Sequence, residues 1–514
     1  YTTATDTTAH HCNLTIATDQ SLHDIPAMLE QHPFHNTTAD YHICFHPSHT
    51  YTTAGQPLHL SGARHNHPNG GRIIWRPITP TTTPPVLSAG APLHQWYRCN
   101  DGVHCPGLEW NGVFVHLVKD IANLTHSFLP VRNLWVNGLR ANRVSTDGNV
   151  LGWTVSATGY VAPTKLSMDV VANQVELVWP RSIKNWIQPR CTVAAITNGV
   201  NITVNPVCWK NLIARNEGKL PPVPTYVENL LRPPSAGEFV ATPLYIFFKP
   251  FAASPYATPT NAWVPIQKQI LTSLGLTNHI FQGLQFSHAT WRIPSSASGY
   301  VPDQTLVTSQ QGEPVGAVQL SNSRNVTVQD CSFLNIGAAY GLSIGLASQN
   351  IVLDTNAFMD LSGGAIKIGN VLNTTRALTT NVAWQDRNYD INNNVMDSIA
   401  VEYAGGAAIF AGYVANATIR HNTISNTGYT GISLGWGKCF FLFLIVCLCL
   451  LGKGPRRFSD FFFFLFFFFL FVCVFKGWGT HVTGNQTYAA DNHIVGNRLI
   501  SVMSNLNDGG CTCK

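Results

Sequence analysis

The sequence predicts an all-β chain whose C-terminal half is a right-handed parallel β-helix, a solenoid, with an inserted β-rich domain ahead of its main body. Three observations predict it. From Asn325 a nine-residue pattern recurs, with apolar residues alternating at period two and an Asn or similar residue two places before another apolar one. The copies are NVTVQDCSF from Asn325, NIVLDTNAF from Asn350, NYDINNNVM from Asn388, NATIRHNTI from Asn416 and DNHIVGNRL from Asp491. A glycine-flanked strand follows each of the first four: GLSIG at Gly341, GAIKIG at Gly364, GAAIFAG at Gly406 and GISLG at Gly431. The corner residues Cys331, Asn356, Asn394 and Asn422 are 25, 38 and 28 residues apart, which suits coils with loops of variable size.

Each nine-residue copy reads as a short strand and a corner, and with the glycine-flanked strand it makes two strands per coil. A weaker copy ends in GLQF at Gly283 to Phe286. Inward Ile, Val, Leu and Phe stack into a continuous core, and equivalent corner Asn side chains can form hydrogen-bond ladders. A Greek-key sandwich would alternate polar and apolar residues without a recurring Asn corner.

The next Asn corner, Asn497, lies 75 residues after Asn422. Within that gap, residues 438–477 hold two apolar runs, CFFLFLIVCLCLL from Cys439 and FFFFLFFFFLFVCVF from Phe461, and 14 of the 27 Phe residues. Each run is shorter than the roughly 18–20 residues of a membrane helix, so no membrane contact is expected unless 439–475 is genuine. Long Phe runs are what a pyrimidine-rich DNA tract encodes, and the segment lies between two Trp-Gly pairs, Trp436-Gly437 and Trp478-Gly479. It reads as a translated, unspliced intron. Deleting these forty residues brings the corner spacing to 35 and restores GISLGWGWGTHV.

At 514 residues and 45% hydrophobic, the chain can build a large core. Charged residues are 11%, against about 25% in ordinary soluble domains, so the polar surface comes from Asn, Thr, Ser and Gly, as suits an extracellular β protein. The net charge of +5 is mostly local. Lys438, Lys453, Arg456, Arg457 and Lys476 against Asp460 contribute four of it, and the remaining +1 gives no basic footprint for nucleic acid.

The N-terminal half divides by composition. Residues 1–80 read as a cap, with the amphipathic SLHDIPAMLEQH, plus the first solenoid strands ending in RIIWRP. The Pro- and Thr-rich stretch 77–92 reads as a linker. Residues 93–265, Trp-rich and alternating, read as the inserted domain, with a hairpin at Asn198-Gly199. Residues 270–514 are the main solenoid.

Eight N-x-Ser/Thr acceptors, Asn13, Asn36, Asn123, Asn201, Asn325, Asn373, Asn416 and Asn485, point to a secreted glycoprotein. Among thirteen Cys, the pairs Cys99/Cys105 and Cys191/Cys208 read either as local disulfides or as buried thiols. Without an initiator Met or an apolar leader at Tyr1, the chain reads as a fragment.

LWVNGLRANR from Leu134, VELVWP from Val175, PVCWKN at Pro206, GLQFSHATW at Gly283, GISLGWG with Trp478-Gly479, and DGG at Asp508 to Gly510 appear in that order over roughly residues 110–514. On these motifs the chain resembles right-handed β-helix repeat proteins of the pectate-lyase-like superfamily, near glycoside hydrolase family 141. The resemblance implies a carbohydrate-active protein whose relatives cleave complex glycans, and it places the family's DGG motif at Asp508. The closing Cys511-Thr512-Cys513-Lys514 departs from the strand the family carries there.

Glycoside hydrolysis needs one protonated and one ionised carboxyl group about 5–10 Å apart. Asp354, Asp360, Asp397, Glu402 and Asp508 are the solenoid's candidates. Asp508 leads as a catalytic residue, because two glycines after it let a sugar approach the backbone, although an Asp before Gly-Gly is also an ordinary turn. Glu402, before Gly405-Gly406, is the second catalytic choice, against a solvated loop carboxylate; the partner of Asp508 is Glu402 or lies beyond Lys514. Trp436, Trp478 and Trp291 are expected to bind substrate by stacking on sugar rings, with Trp384 a further candidate, against plain packing. The twenty His residues lack metal-ligand spacing, so no metal or cofactor is expected. The competing functions are a polysaccharide lyase, with Lys367 or Arg420 as base and Ca²⁺ held by carboxylates, and a non-catalytic glycan-binding surface protein. The expected partner in every case is a glycan, met by a monomer.

Overall fold

The computed structural model describes residues 12–31, 38–100, 105, 110–125, 131–147, 152–165, 174–253, 257–303, 305–308, 310–372, 374–434, 438–439, 475–476, 487–507 and 512–513. Three parallel sheets surround one core. Sheet A runs Leu14–Ile16, Tyr41–Phe45, Ile73–Pro77, His279–Gln282, Arg324–Gln329, Gln349–Asp354, Arg387–Asn392, Ala415–Arg420 and His493–Val495. Sheet B runs Thr50–Thr52, Val86–Ser88, Gln285–Ser287, Ser332–Ile336, Ala357–Leu361, Val395–Ile399, Thr423–Thr427 and Arg498–Ile500. Sheet C runs Leu58–Ser61, Leu271–Leu274, Gly316–Ser321, Tyr340–Gly345, Gly364–Ile368, Ile409–Ala411, Ile432–Leu434 and Thr512–Cys513. The chain visits A, B and C in turn, so the molecule is the parallel β-helix that the repeats predict.

Each coil has three strands where the sequence suggests two. The nine-residue copy spans a corner: residues before the corner Asn end a sheet A strand, and those after it open a sheet B strand. The apolar residue two places past the corner points inward, and these residues stack in register as Phe286, Phe333, Phe358, Met396, Ile424 and Leu499. The Phe333 and Phe358 rings lie parallel at 4.5 Å. Burying each such side chain contributes roughly 1.5–3 kcal/mol.

Two columns of Asn amides hold the coils in register. In the buried one, the Oδ1 of Asn356 accepts the Cys331 N–H at 3.0 Å. Asn394 accepts the Asn356 N–H at 3.0 Å and Nδ2–H at 2.9 Å, Asn422 does the same for Asn394, and Asn497 for Asn422. Each Nδ2 also donates to a main-chain carbonyl, as Asn394 does to Leu353 at 3.0 Å, so these amides sit inside the wall with their hydrogens and oxygens paired. The second column is exposed and explains the Asn that opens each copy. Asn325, Asn350, Asn388 and Asn416 each donate Nδ2–H to the Oδ1 one coil back, starting at Asn278, over 2.8–3.0 Å. All five have φ between 52° and 60°, a left-handed conformation that Asn tolerates better than other side-chain-bearing residues.

At the N-terminal end, the helix Ile25–Gln31 and the turn before it put Leu22, Ile25 and Leu29 into the same core. The stretch read as a linker contains the sheet B strand Val86–Ser88 and so belongs in part to a coil. Residues 89–270 then form one enlarged B-to-C turn, since the chain re-enters sheet C at Leu271–Leu274. It holds an eight-stranded and a seven-stranded sheet, mostly antiparallel. Asn198 and Gly199, with φ of 55° and 70°, turn the hairpin from Arg190–Thr197 to Asn201–Val204. Cys99–Cys105 and Cys191–Cys208 are disulfides, as is Cys12–Cys44, which the sequence reading did not pair. Of the sequons, Asn123, Asn201, Asn325 and Asn416 are exposed and Asn13 is half-buried, while Asn36, Asn373 and Asn485 lie outside the described residues. Among the described residues no helix is long and apolar enough to cross a membrane.

Two outcomes are expected. Asn394→Leu leaves the Asn356 N–H and Nδ2–H without an acceptor and lowers unfolding free energy by about 3 kcal/mol, whereas Asn388→Ala in the exposed column costs under about 1 kcal/mol, both read by urea denaturation. His279, fully buried beside Trp75, whose indole N–H it accepts at 3.1 Å, is pushed by burial down to about 3. The unfolded chain takes up this proton from 6.5 downward and the folded chain only near 3, so stability falls as pH drops through that window. His279→Gln is expected to flatten the acid limb by up to about 1.4 kcal/mol per pH unit.

Candidate functional site

Because sheets B and C stack in register, their connecting turns form a column along one corner of the solenoid. The enlarged turn 89–270 belongs to the same corner, and it lies along that column. Asn335 Nδ2 donates to the Gly138 carbonyl at 3.1 Å, Arg140 bonds Asp360 and Ser362 one coil later, Arg132 reaches Glu402 in the next, and Asn507 N–H donates to the Asn185 carbonyl at 3.0 Å. Gly337 permits the approach: a side chain there would collide with Asn133 Oδ1.

The seam holds a charge cluster buried in a chain otherwise poor in charge. Arg132, wholly buried, pairs with Glu176 and Glu402, and its Nε donates to Tyr403 Oη at 3.1 Å. Arg143 stands 3.1 Å from Glu176 and 3.2 Å from Glu228, and Arg190 is 2.6 Å from Glu228. Arg140 is 2.6 Å from Asp360, which also accepts the Trp135 indole N–H at 2.7 Å. A cleft of about 330 Å³ opens onto this cluster, lined by Arg132, Asn133, Arg140, Arg143, Ser145, Arg190, Tyr226, Glu228, Glu238 and Glu402 among others.

Glu402 is the seam's central carboxylate. Its Oε1 is held by Arg132, and its Oε2 accepts from Asn133 Nδ2 and Ser362 Oγ, each at 2.9 Å, while its carbonyl accepts from Arg190 at 2.8 Å. Burial disfavours its charge, but the guanidiniums of Arg132, Arg190, Arg140 and Arg143 outweigh burial and hold the carboxyl at about 2. Glu176 is held well below its ordinary value by the same contest, burial against Arg132, Arg143 and Arg190. Glu402 is therefore ionised at neutral pH: it suits a nucleophile, base or electrostatic role and not that of proton donor.

The other candidates are dispersed. Asp508, Trp436 and Trp478 lie outside the described residues. Trp291 is 7% exposed and packs edge-on against Tyr300 at 5.0 Å and Tyr403 at 4.9 Å, so it supports the residue after Glu402 and offers no open face to a sugar. Trp384 is 58% exposed. Asp354 and Asp397 bond neighbouring Asn and Ser side chains on sheets A and B. Lys367 is buried on sheet C, 2.6 Å from Glu313, and Arg420 is on sheet A, 2.8 Å from Asp390, so neither candidate lyase base lines the cleft. No group of three His, Cys, Asp or Glu among the described residues is placed to hold a metal ion.

The arginines and Glu228 were not picked out from the sequence. For Arg140, Arg143 and Glu176 the signal was present in LWVNGLRANR and VELVWP, where charges stand inside strand-like runs of a chain with few charges.

No family model matches the chain, and no curated protein does. A solved structure described as a glycoside hydrolase matches with a TM-score of 0.59 at 19% identity, covering 77% of this chain and 72% of that one. Another, described as the complex of XylC with xylose, matches with a TM-score of 0.37 at 13% identity, covering 76% and 54%. The first likeness is one of fold.

Arg132→Met is expected to destabilise the protein by about 3–5 kcal/mol at pH 7, because Glu176 and Glu402 stay buried without their shared counter-charge. In the wild type, the stability due to Glu402 is present above its ordinary value of 4.5 and lost as pH falls toward about 2. The penalty should therefore shrink between pH 7 and pH 3 in urea titrations; an equal penalty at both would contradict the charge account.

Proposed function

We propose that this chain is a secreted, monomeric glycoside hydrolase acting on a complex polysaccharide in the cleft between the solenoid and the inserted domain. The observation that carries the proposal is Glu402, a carboxylate kept ionised at a water-accessible seam by four fixed arginines. Double displacement or water activation needs such a group beside a protonated one. Asp508 is the proposed proton donor, the carboxylate before Gly509-Gly510 that the sequence favours. The fold likeness to a glycoside hydrolase supports the reaction class, and three disulfides with eight sequons support the oxidising, extracellular setting.

A second reading, a non-catalytic glycan-binding protein, is favoured by one observation: both Glu402 oxygens already accept hydrogen bonds. A polysaccharide panel assayed for new reducing ends separates the two. Hydrolysis is expected, with Asp508→Asn and Glu402→Gln each lowering kcat by about 10²–10⁴-fold. An Asp508→Asn variant with full activity would remove Asp508 from the site, and binding without products would establish the second reading.

A further inference from the structure

We propose that the working protein is made without residues 438–477, which are the translation of an unspliced intron, and that the solenoid closes its last described coil without them. The flanking strands supply the argument. Ala415–Arg420, Thr423–Thr427 and Ile432–Leu434 precede the segment, and His493–Val495, Arg498–Ile500 and Thr512–Cys513 follow it, paired with them strand for strand in sheets A, B and C. The buried Asn column crosses the gap unbroken, Asn497 accepting from Asn422 at 2.9 Å. Asn492 locks the same coil from the other side, its Oδ1 accepting the Ala417 N–H at 2.8 Å and its Nδ2 donating to the Val414 carbonyl at 2.9 Å.

Connection lengths give an independent measure. Counted between register-equivalent residues, the C-to-A connections hold 6 residues from Leu320 to Thr327, 7 from Ile344 to Val352, 21 from Ile368 to Asp390 and 6 from Ala411 to Thr418. From Leu434 to His493 there are 58. Without the forty residues 438–477 there are 18, within the range of the others.

Described residues near the two ends of the segment are paired with each other. Lys438 and Cys439 pair antiparallel with Lys476 and Phe475. Partners in such a pair have Cα atoms about 4.5–5.5 Å apart, close to the 3.8 Å of one peptide step. The coding sense agrees. Gly437-Lys438-Cys439 can be spelled G|GTAAGTGT, a splice donor after the first base of the Gly437 codon, and Lys476-Gly477 can be spelled AAAG|GN, an acceptor in the same phase. Removal of the stretch between takes out forty codons and leaves one Gly.

The test compares mature transcripts, and then two expressed proteins: the 514-residue chain and the chain in which Trp478 follows Gly437. Transcripts lacking the forty codons are expected, together with a joined chain that is soluble and unfolds in one transition while the 514-residue chain aggregates. Transcripts that all retain the Phe tract overturn the intron origin. A joined chain that fails to fold where the 514-residue chain is soluble and folded overturns the structural claim, whatever the transcripts show.

Discussion

The buried column of Asn amides is the constraint on which the rest of the molecule depends. A parallel coil has no hairpin to set its register, and a slip of one residue would turn every inward Phe, Ile and Leu to solvent. Asn356, Asn394, Asn422 and Asn497 prevent the slip, because each carboxamide meets the main chain of the coil before it and the amide of the coil beside it. An apolar residue at such a corner would fill the space but leave donors unpaired inside the wall. The aromatic and aliphatic stack from Phe286 to Leu499 can then form as a single line.

Register also decides where the inserted domain sits. Since every coil turns at the same places, the B-to-C turns make a column, and a large excursion from one of them falls on its successors. That is why Arg132 and Arg140 meet Glu402 and Asp360 more than 200 residues away. The price of bringing Arg132, Arg143, Arg190, Glu176 and Glu402 out of water is met by their mutual pairing, so the seam is both the clamp between the two parts and the place where a carboxylate is held charged. Clamp and cleft share the same side chains, Arg132 and Glu402 among them.

Some of this was legible in the residues themselves. The corner Asn, the inward residue two places later and the glycine-flanked strand announced a stacked coil, because period-two alternation and a repeated corner admit few other folds. The third strand was hidden inside the nine-residue copy, whose two halves look like one element until the corner bends the chain. The exposed Asn column went unread because its residues look like ordinary loop Asn until their left-handed φ and mutual spacing are known. Glu402 was visible as a carboxylate before glycines, yet its fixed charge was not, since the four arginines that hold it come from a distant part of the chain. Trp291 shows the converse: an aromatic in a promising motif turned out to be packed against Tyr300 and Tyr403.

The sequence by itself determined the solenoid and its repeat, because both are written in local pattern and composition. Only the tertiary structure decided the three-strand coil, the seam and the ionised state of Glu402. Those depend on which side chains meet across hundreds of residues, and an electrostatic environment is a property of neighbours in space that no local run of residues encodes.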